Sequence, residues 1–173
     1  MAILNLDNTD NLFGPTNSSD TIAGNGGDDT INGGGGRDLL LGGKGEDLLK
    51  GGTGKDTLFG GKDNDALFGG SGKDILSGDS GADILTGGSG IDTFVFNANS
   101  IDAVDTITDF ASNETIALIG NITNADGVQD GGNVNLFADV NGVTTLIAVI
   151  ENAMEVDVDA SFALFTSNAD LLG

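Results

Sequence analysis

Between residues 15 and 95 a single large apolar residue returns at every ninth position: Ile22, Ile31, Leu40, Leu49, Leu58, Leu67, Leu76, Leu85 and Phe94. Two residues ahead of each stands an aspartate, in the series Asp20, Asp29, Asp38, Asp47, Asp56, Asp65, Asp74, Asp83 and Asp92. We number the nonapeptide so that the aspartate is position 6 and the apolar residue position 8. Glycine fills position 1 in eight of the nine units, Pro15 being the exception, and position 4 in seven. A glycine-rich hexad predicts a tight turn, because glycine reaches positive φ without a steric penalty. The remaining triad, such as Asp74-Ile75-Leu76, predicts only a very short strand. Neither buries anything alone. Two units in succession predict one flattened coil of 18 residues, and coils stack as parallel strands with position 8 of both sides filling a thin interior. The expected fold is therefore all-β: a parallel β-roll, that is a right-handed β-helix of nonapeptides, with a β-rich C-terminal cap. The first unit, PTNSSDTIA, keeps only its aspartate and isoleucine and reads as a degenerate cap, as terminal repeats of solenoids are.

This pattern divides the chain into a lead-in over residues 1–14, the roll over 15–95, and a flank over 96–173. In the lead-in, AILNL predicts a strand able to cap the first coil. After Val95 the nine-residue beat stops. Asp105–Phe110 (DTITDF) and Glu114–Ile119 (ETIALI) read as strands, and Asn133–Phe137 and Val143–Ile150 as a pair joined by the hairpin turn Asn141-Gly142. Asp126 and Asp130 beside Gly131 echo a calcium-binding helix-loop-helix, but the twelfth position is Phe137 rather than Glu, so this stretch reads as a polar loop. GTGKD and GSGKD resemble phosphate loops, yet Asp follows the Lys where Ser or Thr is needed, and the repeat explains them. Outward-facing positions 7 and 9 carry Leu39, Leu41, Phe59, Ile75 and Val95 in the odd-numbered units. The even-numbered ones dilute their apolar residues with Asn32, Lys50, Thr30 and Thr86.

Composition sharpens the picture. The 173 residues hold 27 acids and 6 bases, a net charge of −21. That excludes a nucleic-acid or anionic-membrane footprint, and no apolar run approaches the roughly 20 residues that span a bilayer. The N-terminus lacks the basic start of a secretory signal peptide. All six bases, Arg37 to Lys73, lie inside the repeats, and there is no Cys, His, Trp or Tyr. The chain thus lacks thiolate and imidazole metal ligands, and has no His for a Ser-His-Asp or Cys-His nucleophile.

Stacking also creates an electrostatic problem. Units i and i+2 lie on one side of the roll, about 4.8 Å apart. Aspartates in register at that spacing repel by about 3.5 kcal/mol per neighbouring pair at an effective dielectric near 20. Such a row needs a cation between its members. Carboxylates and turn carbonyls are hard oxygen ligands, and flexible oxygen cages suit Ca2+ better than the stricter octahedra of Mg2+. The reading is a ladder of calcium ions threaded between stacked glycine turns.

GGTGKDTLF, GGSGKDILS and GGSGIDTFV match GGxGxDxUx at every position, and residues 15–95 resemble the RTX (repeats-in-toxin) family, whose nonapeptide binds calcium in a β-roll. The resemblance implies that each ion lies between units i and i+2, held by both aspartates and by backbone carbonyls of positions 1 to 4. Asp38 and Asp56 would then share an ion, as would Asp47 and Asp65. The carbonyls would come from Gly33, Gly34, Gly35 and Gly36; Gly42, Gly43, Lys44 and Gly45; Gly51, Gly52, Thr53 and Gly54; Gly60, Gly61, Lys62 and Asp63; Gly69, Gly70, Ser71 and Gly72; and Gly78, Asp79, Ser80 and Gly81. Nine units so paired give up to seven sites; the pair Asp20–Asp38 is left open, because the first turn lacks its glycines. DTFVF, DTITDF, a strand pair and a late Phe-x-x-Phe are similar to the C-terminal flank of serralysin-type and lipase-type RTX chains. That likeness implies a cap, and an uncleaved type I secretion signal near the terminal NADLLG.

The expected protein is a secreted, calcium-folded β-roll with a structural, surface or matrix role, using calcium and the type I apparatus as partners and making no membrane insertion. One alternative is an adhesion module using the apolar outer face for a cell-surface or matrix partner. Another is the calcium-binding and secretion part of a larger RTX protease or lipase. No HExxH or G-x-S-x-G motif is present, so no enzyme is expected.

Overall fold

The computed structural model describes residues 3–152 and 162–165. Every regular element among them is a β-strand, and they form two sheets built as a solenoid of about six turns. The first sheet runs β1 (Ile3–Asn5), β3 (Thr21–Ala23), β5 (Leu39–Lys44), β7 (Thr57–Lys62), β9 (Ile75–Ser80), β11 (Thr93–Asn97), β13 (Thr115–Ile119) and β17 (Phe162–Phe165). The second begins at β2 (Leu12–Phe13) and continues through β4 (Thr30–Gly36), β6 (Leu48–Gly54), β8 (Ala66–Gly72), β10 (Ile84–Gly90) and β12 (Asp105–Ile107). It closes with β16 (Val143–Ile150), β15 (Asn133–Val140) and β14 (Ile122–Asp130).

The odd-even division follows from the nine-residue beat: successive units fall on opposite sheets, and each unit pairs in parallel with the unit two along. Position 8 therefore stacks on position 8. Ile22 pairs with Leu40, Leu40 with Leu58 and Leu58 with Leu76 in one sheet. Ile31, Leu49, Leu67 and Leu85 do the same in the other. All nine position-8 side chains are 0% exposed. At about 1.5–3 kcal/mol for each fully buried aliphatic side chain, this double column is the main apolar term of the roll.

The strands are longer than the expected triads. Turn residues pair across coils as well, Gly52 with Gly70 and Gly54 with Gly72, so that β6 and β8 run seven residues each. The lead-in also does more than cap: β1 pairs with β3 and β2 with β4, which extends the stack by one coil. Past the repeats, β12 and β13 pair in parallel with β10 and β11, and Ile107 and Ile116 continue the buried columns at 0% exposure. The Asn141-Gly142 hairpin forms as expected, both residues at positive φ (52° and 84°). The polar loop expected around Asp126 and Asp130 is instead β14, paired antiparallel with β15 through a Gly131-Gly132 turn. The expectation failed because alternation there is weak, and the partner strand rather than local pattern fixes the segment. Buried Val134, Leu136, Ala138, Ile147, Ala148 and Ile150 join these strands to the roll's own core, and the Phe94 and Phe110 rings meet at 5.9 Å.

Candidate metal centre

Each edge of the roll is a stack of turns, units of one parity on one edge and of the other parity on the opposite edge. Positions 2 and 4 are left-handed in every unit from the second on, including the non-glycines Asn25 (φ 71°), Asp63 (φ 74°) and Asp79 (φ 68°). Asn and Asp tolerate that region, so the substituted turns keep the shape of the others. This geometry brings each aspartate back under its own turn.

The eight position-6 aspartates from Asp29 to Asp92 are at most 3% exposed. One carboxylate oxygen of each accepts a hydrogen bond from a backbone N–H one coil earlier, that of Asn11 for Asp29 and of an aspartate for the others. Asp20 N–H donates to Asp38 Oδ1 at 2.7 Å, Asp38 to Asp56 at 2.8 Å and Asp56 to Asp74 at 2.8 Å. On the other edge Asp29 donates to Asp47 at 2.7 Å, Asp47 to Asp65 at 2.8 Å and Asp65 to Asp83 at 2.8 Å. The second oxygen is different. Oδ2 of Asp29, Asp38, Asp47, Asp56, Asp65, Asp74, Asp83 and Asp92 is buried and has no hydrogen-bond partner. A buried polar atom without a partner costs about 1–3 kcal/mol, and a charged one more.

The position-1 glycines show what these oxygens face. A Cβ on Gly42 would lie 2.3 Å from Asp47 Oδ2 and 2.5 Å from the Gly60 carbonyl oxygen. On Gly60 it would lie 2.3 Å from Asp65 Oδ2 and 2.7 Å from Gly78 O, and on Gly51, 2.8 Å from Asp56 Oδ2 and 2.6 Å from Gly69 O. A carboxylate oxygen of one unit and the position-1 carbonyl of the unit two along thus converge on one small space, which only glycine leaves open. Orphaned anionic oxygens, a carbonyl beside each of the first six from Asp29 to Asp74 and no soft ligand are the donor set of a hard divalent cation, and calcium fits it. No three acidic side chains converge on one point among the described residues, so backbone oxygens must complete any such cage.

The other expected carbonyl donors are placed differently. The oxygens of positions 2 and 4 point along the stack under the next turn. Gly34 O lies beneath Gly52, Gly36 O beneath Gly54 and Gly54 O beneath Gly72. Lys44, Thr53, Lys62, Ser71 and Ser80 occupy position 3 on the outside of the turns, half-buried or exposed. Asp20 also stands apart: the hydroxyls of Thr16 and Ser18 both donate to it. The degenerate first turn therefore replaces the glycine cradle with its own hydroxyls.

Burial raises seven carboxyls of the ladder. Asp47 and Asp74 are pushed up to about 6 and Asp65 to about 8, each first by desolvation and further by neighbouring carboxylates. Asp38, Asp56, Asp83 and Asp92 move in the same direction for the same first cause. The sequence reading missed two further buried acids, Asp105 (6% exposed) and Glu114 (3% exposed), raised by burial to about 8 and about 7. Their signal was present: Asp105-Thr-Ile107 and Glu114-Thr-Ile116 repeat the acid-x-apolar phrase of the nonapeptides.

All six basic side chains are exposed, Arg37, Lys55 and Lys73 in a row along one edge. On the outer faces, Leu39, Leu41, Phe59 and Ile75 are half-buried. Val95 is buried with Ala117 and Ile119 in a small second cluster that includes Ile75. Among positions 7 and 9 of the roll the barest apolar residues, Phe68 (37%) and Ile84 (48%), lie on the even-numbered side that the sequence marked as diluted. The terminal NADLLG lies outside the described residues. No helix among them is long and apolar enough to cross a membrane.

The profile of the RTX calcium-binding nonapeptide repeat, in four copies, matches residues 16–49, 41–76 and 63–94. No curated protein matches the chain in sequence. Among solved structures, the extracellular lipase LipA of Serratia marcescens is similar at 16% identity and a TM-score of 0.40, over 94% of this chain and 40% of the lipase. The chain therefore spans well under half of that enzyme's length.

Proposed function

The chain carries RTX calcium-binding nonapeptide repeats over residues 16–94, and on that premise we propose that it is a secreted protein whose roll folds around calcium outside the cell. Export through a type I apparatus in an unfolded state, followed by service as a structural component of a surface or matrix, completes the reading. We assign it no catalytic step: its 173 residues hold neither His nor Cys.

The observation that carries the proposal is the file of eight buried carboxylate oxygens without partners. Asp29, Asp38, Asp47, Asp56, Asp65, Asp74, Asp83 and Asp92 would hold the ions, together with the position-1 carbonyls that lie beside the first six. Bound calcium supplies the positive charge that these oxygens lack. Without it the ladder repels itself, and the glycine turns lose backbone entropy on folding. Metal-binding free energy is then folding free energy. A site at a hundredfold excess over its dissociation constant contributes about 2.7 kcal/mol, so several sites together exceed the stability of an ordinary domain. The coupling suits export: a calcium-poor cytosol keeps the chain open, and millimolar calcium outside closes it.

Circular dichroism at neutral pH tests this. In chelator the chain should show little β-signal, with a steep, cooperative gain on adding calcium and a much smaller one with magnesium. Full β-signal and protease resistance of the roll in excess chelator would overturn the mechanism.

A further inference from the structure

The nine-residue beat does not end at Asp92; it slips once and resumes. Thirteen residues separate Asp92 from Asp105, nine plus an insertion of four, and nine separate Asp105 from Glu114. The stacking absorbs the insertion. Ile84 pairs with Thr106 and Thr93 with Thr115, so the two acids fall one coil beyond Asp83 and Asp92 in register. Thr106 N–H donates to Asp83 O at 2.8 Å and Thr115 N–H to Asp92 O at 3.0 Å, as at each earlier rung. Asp105 Oδ1 accepts from Asp83 N–H at 3.0 Å, the bond that each ladder aspartate from Asp38 to Asp92 accepts from the one a coil before it.

From this geometry we propose that the cation ladder runs one rung past the nonapeptides on each edge, as two divalent-cation sites built on Asp83 with Asp105 and on Asp92 with Glu114. The proposal rests on the calcium reading of the roll and adds sites that the nonapeptide rule does not reach. Two observations beyond the gathering of acids support it. With all groups ionised, Oδ2 of Asp83 and of Asp92 has no donor, although these residues are 1% and 0% exposed. The carboxyl of Asp105 is also within hydrogen-bonding reach of Asp83, and that of Glu114 within reach of Asp92. Two buried carboxylates in contact cannot both stay charged without a cation or a shared proton between them.

The flank also rebuilds the turns. Asp102 Oδ1 accepts from Gly81 N–H at 3.0 Å, and Asp109 takes Gly87 and Gly88 N–H at 2.9 and 2.7 Å. Glu114 Oε2 is fixed by Ala111 N–H at 2.7 Å. These contacts hold the last two turns in place where no further nonapeptide follows.

Native mass spectrometry of the full chain in calcium counts the ions directly. Asp105→Asn and Glu114→Gln keep an oxygen to accept the same backbone bonds while removing the charge. Each single variant should carry one ion fewer than wild type, and the double variant two fewer. An unchanged count in folded variants overturns the proposal and leaves the ladder of the roll standing. A wild-type chain that binds no calcium overturns both. If the variants do not fold, wild-type crystals grown in calcium decide the matter. Anomalous peaks beside Asp83–Asp105 and Asp92–Glu114 support the two sites. Peaks confined to the nonapeptides, with the acid pairs in direct contact, mean shared protons only and overturn them.

Discussion

Glycine is favoured at positions 1, 2 and 4 of the nonapeptide for two different reasons, and at positions 2 and 4 Asn or Asp can replace it. At position 1 the backbone is ordinary, and what matters is volume: any Cβ would fill the space shared by a carboxylate and a carbonyl, as at Gly51. At positions 2 and 4 conformation and crowding coincide. Gly54 has φ +139°, and a Cβ there would sit 1.5 Å from Gly36 O in the coil before. Position 3 is lenient; a Cβ on Gly26 meets nothing closer than 3.7 Å. In calcium, Gly54→Ala should therefore lower unfolding stability by at least about 2 kcal/mol, through strain and displacement of the neighbouring coil. Gly26→Ala should stay within about 0.5 kcal/mol of wild type. Urea melts of the two variants give the comparison, and equal losses would contradict the stacking described here.

At the scale of the stacked turns, the ladder acts as one titrating array. Seven of its carboxyls are raised in the folded chain, among them Asp47 and Asp74 to about 6 and Asp65 to about 8. A raised acid binds more protons folded than unfolded between its two pKa values, so its contribution to stability is present at low pH and lost as pH rises. In chelator, the roll should gain β-signal as pH falls from about 8 towards 5, with protons standing in for calcium, while apparent calcium affinity falls over the same range. A calcium-free chain that is most folded at pH 8 would refute this.

The periodic part of this array was legible in the sequence, because a strict beat fixes position 8, the aspartate and the parity of each sheet together. Three things were not. Strand length depends on turn residues pairing across coils, which local pattern does not show. β14 is held by its partner β15 rather than by its own alternation. Asp105 and Glu114 were hidden by a four-residue insertion that breaks the count along the chain but not the register in space.

For the whole molecule, the two ends are unlike. The first turn meets its aspartate with hydroxyls, whereas the last coils lean on β14, β15 and β16 and on buried Phe94, Phe96 and Phe110. Between them almost every ladder contact joins residues 18 apart, as Leu40 with Leu58 and Leu49 with Leu67. A span so short against a chain of 173 residues corresponds to a relative contact order on the order of 0.1, in the range of helical bundles rather than of β-sandwiches. An all-β protein built this way closes only small loops, one after another. The exceptions are the pairings of Asp105 with Ala148 and of Ile116 with Phe162, which reach across the flank. After a rapid calcium jump, stopped-flow dichroism should show most β-signal arriving within milliseconds and a slower phase that truncation before residue 120 removes. A single slow phase insensitive to that truncation would mean that the coils do not add one by one.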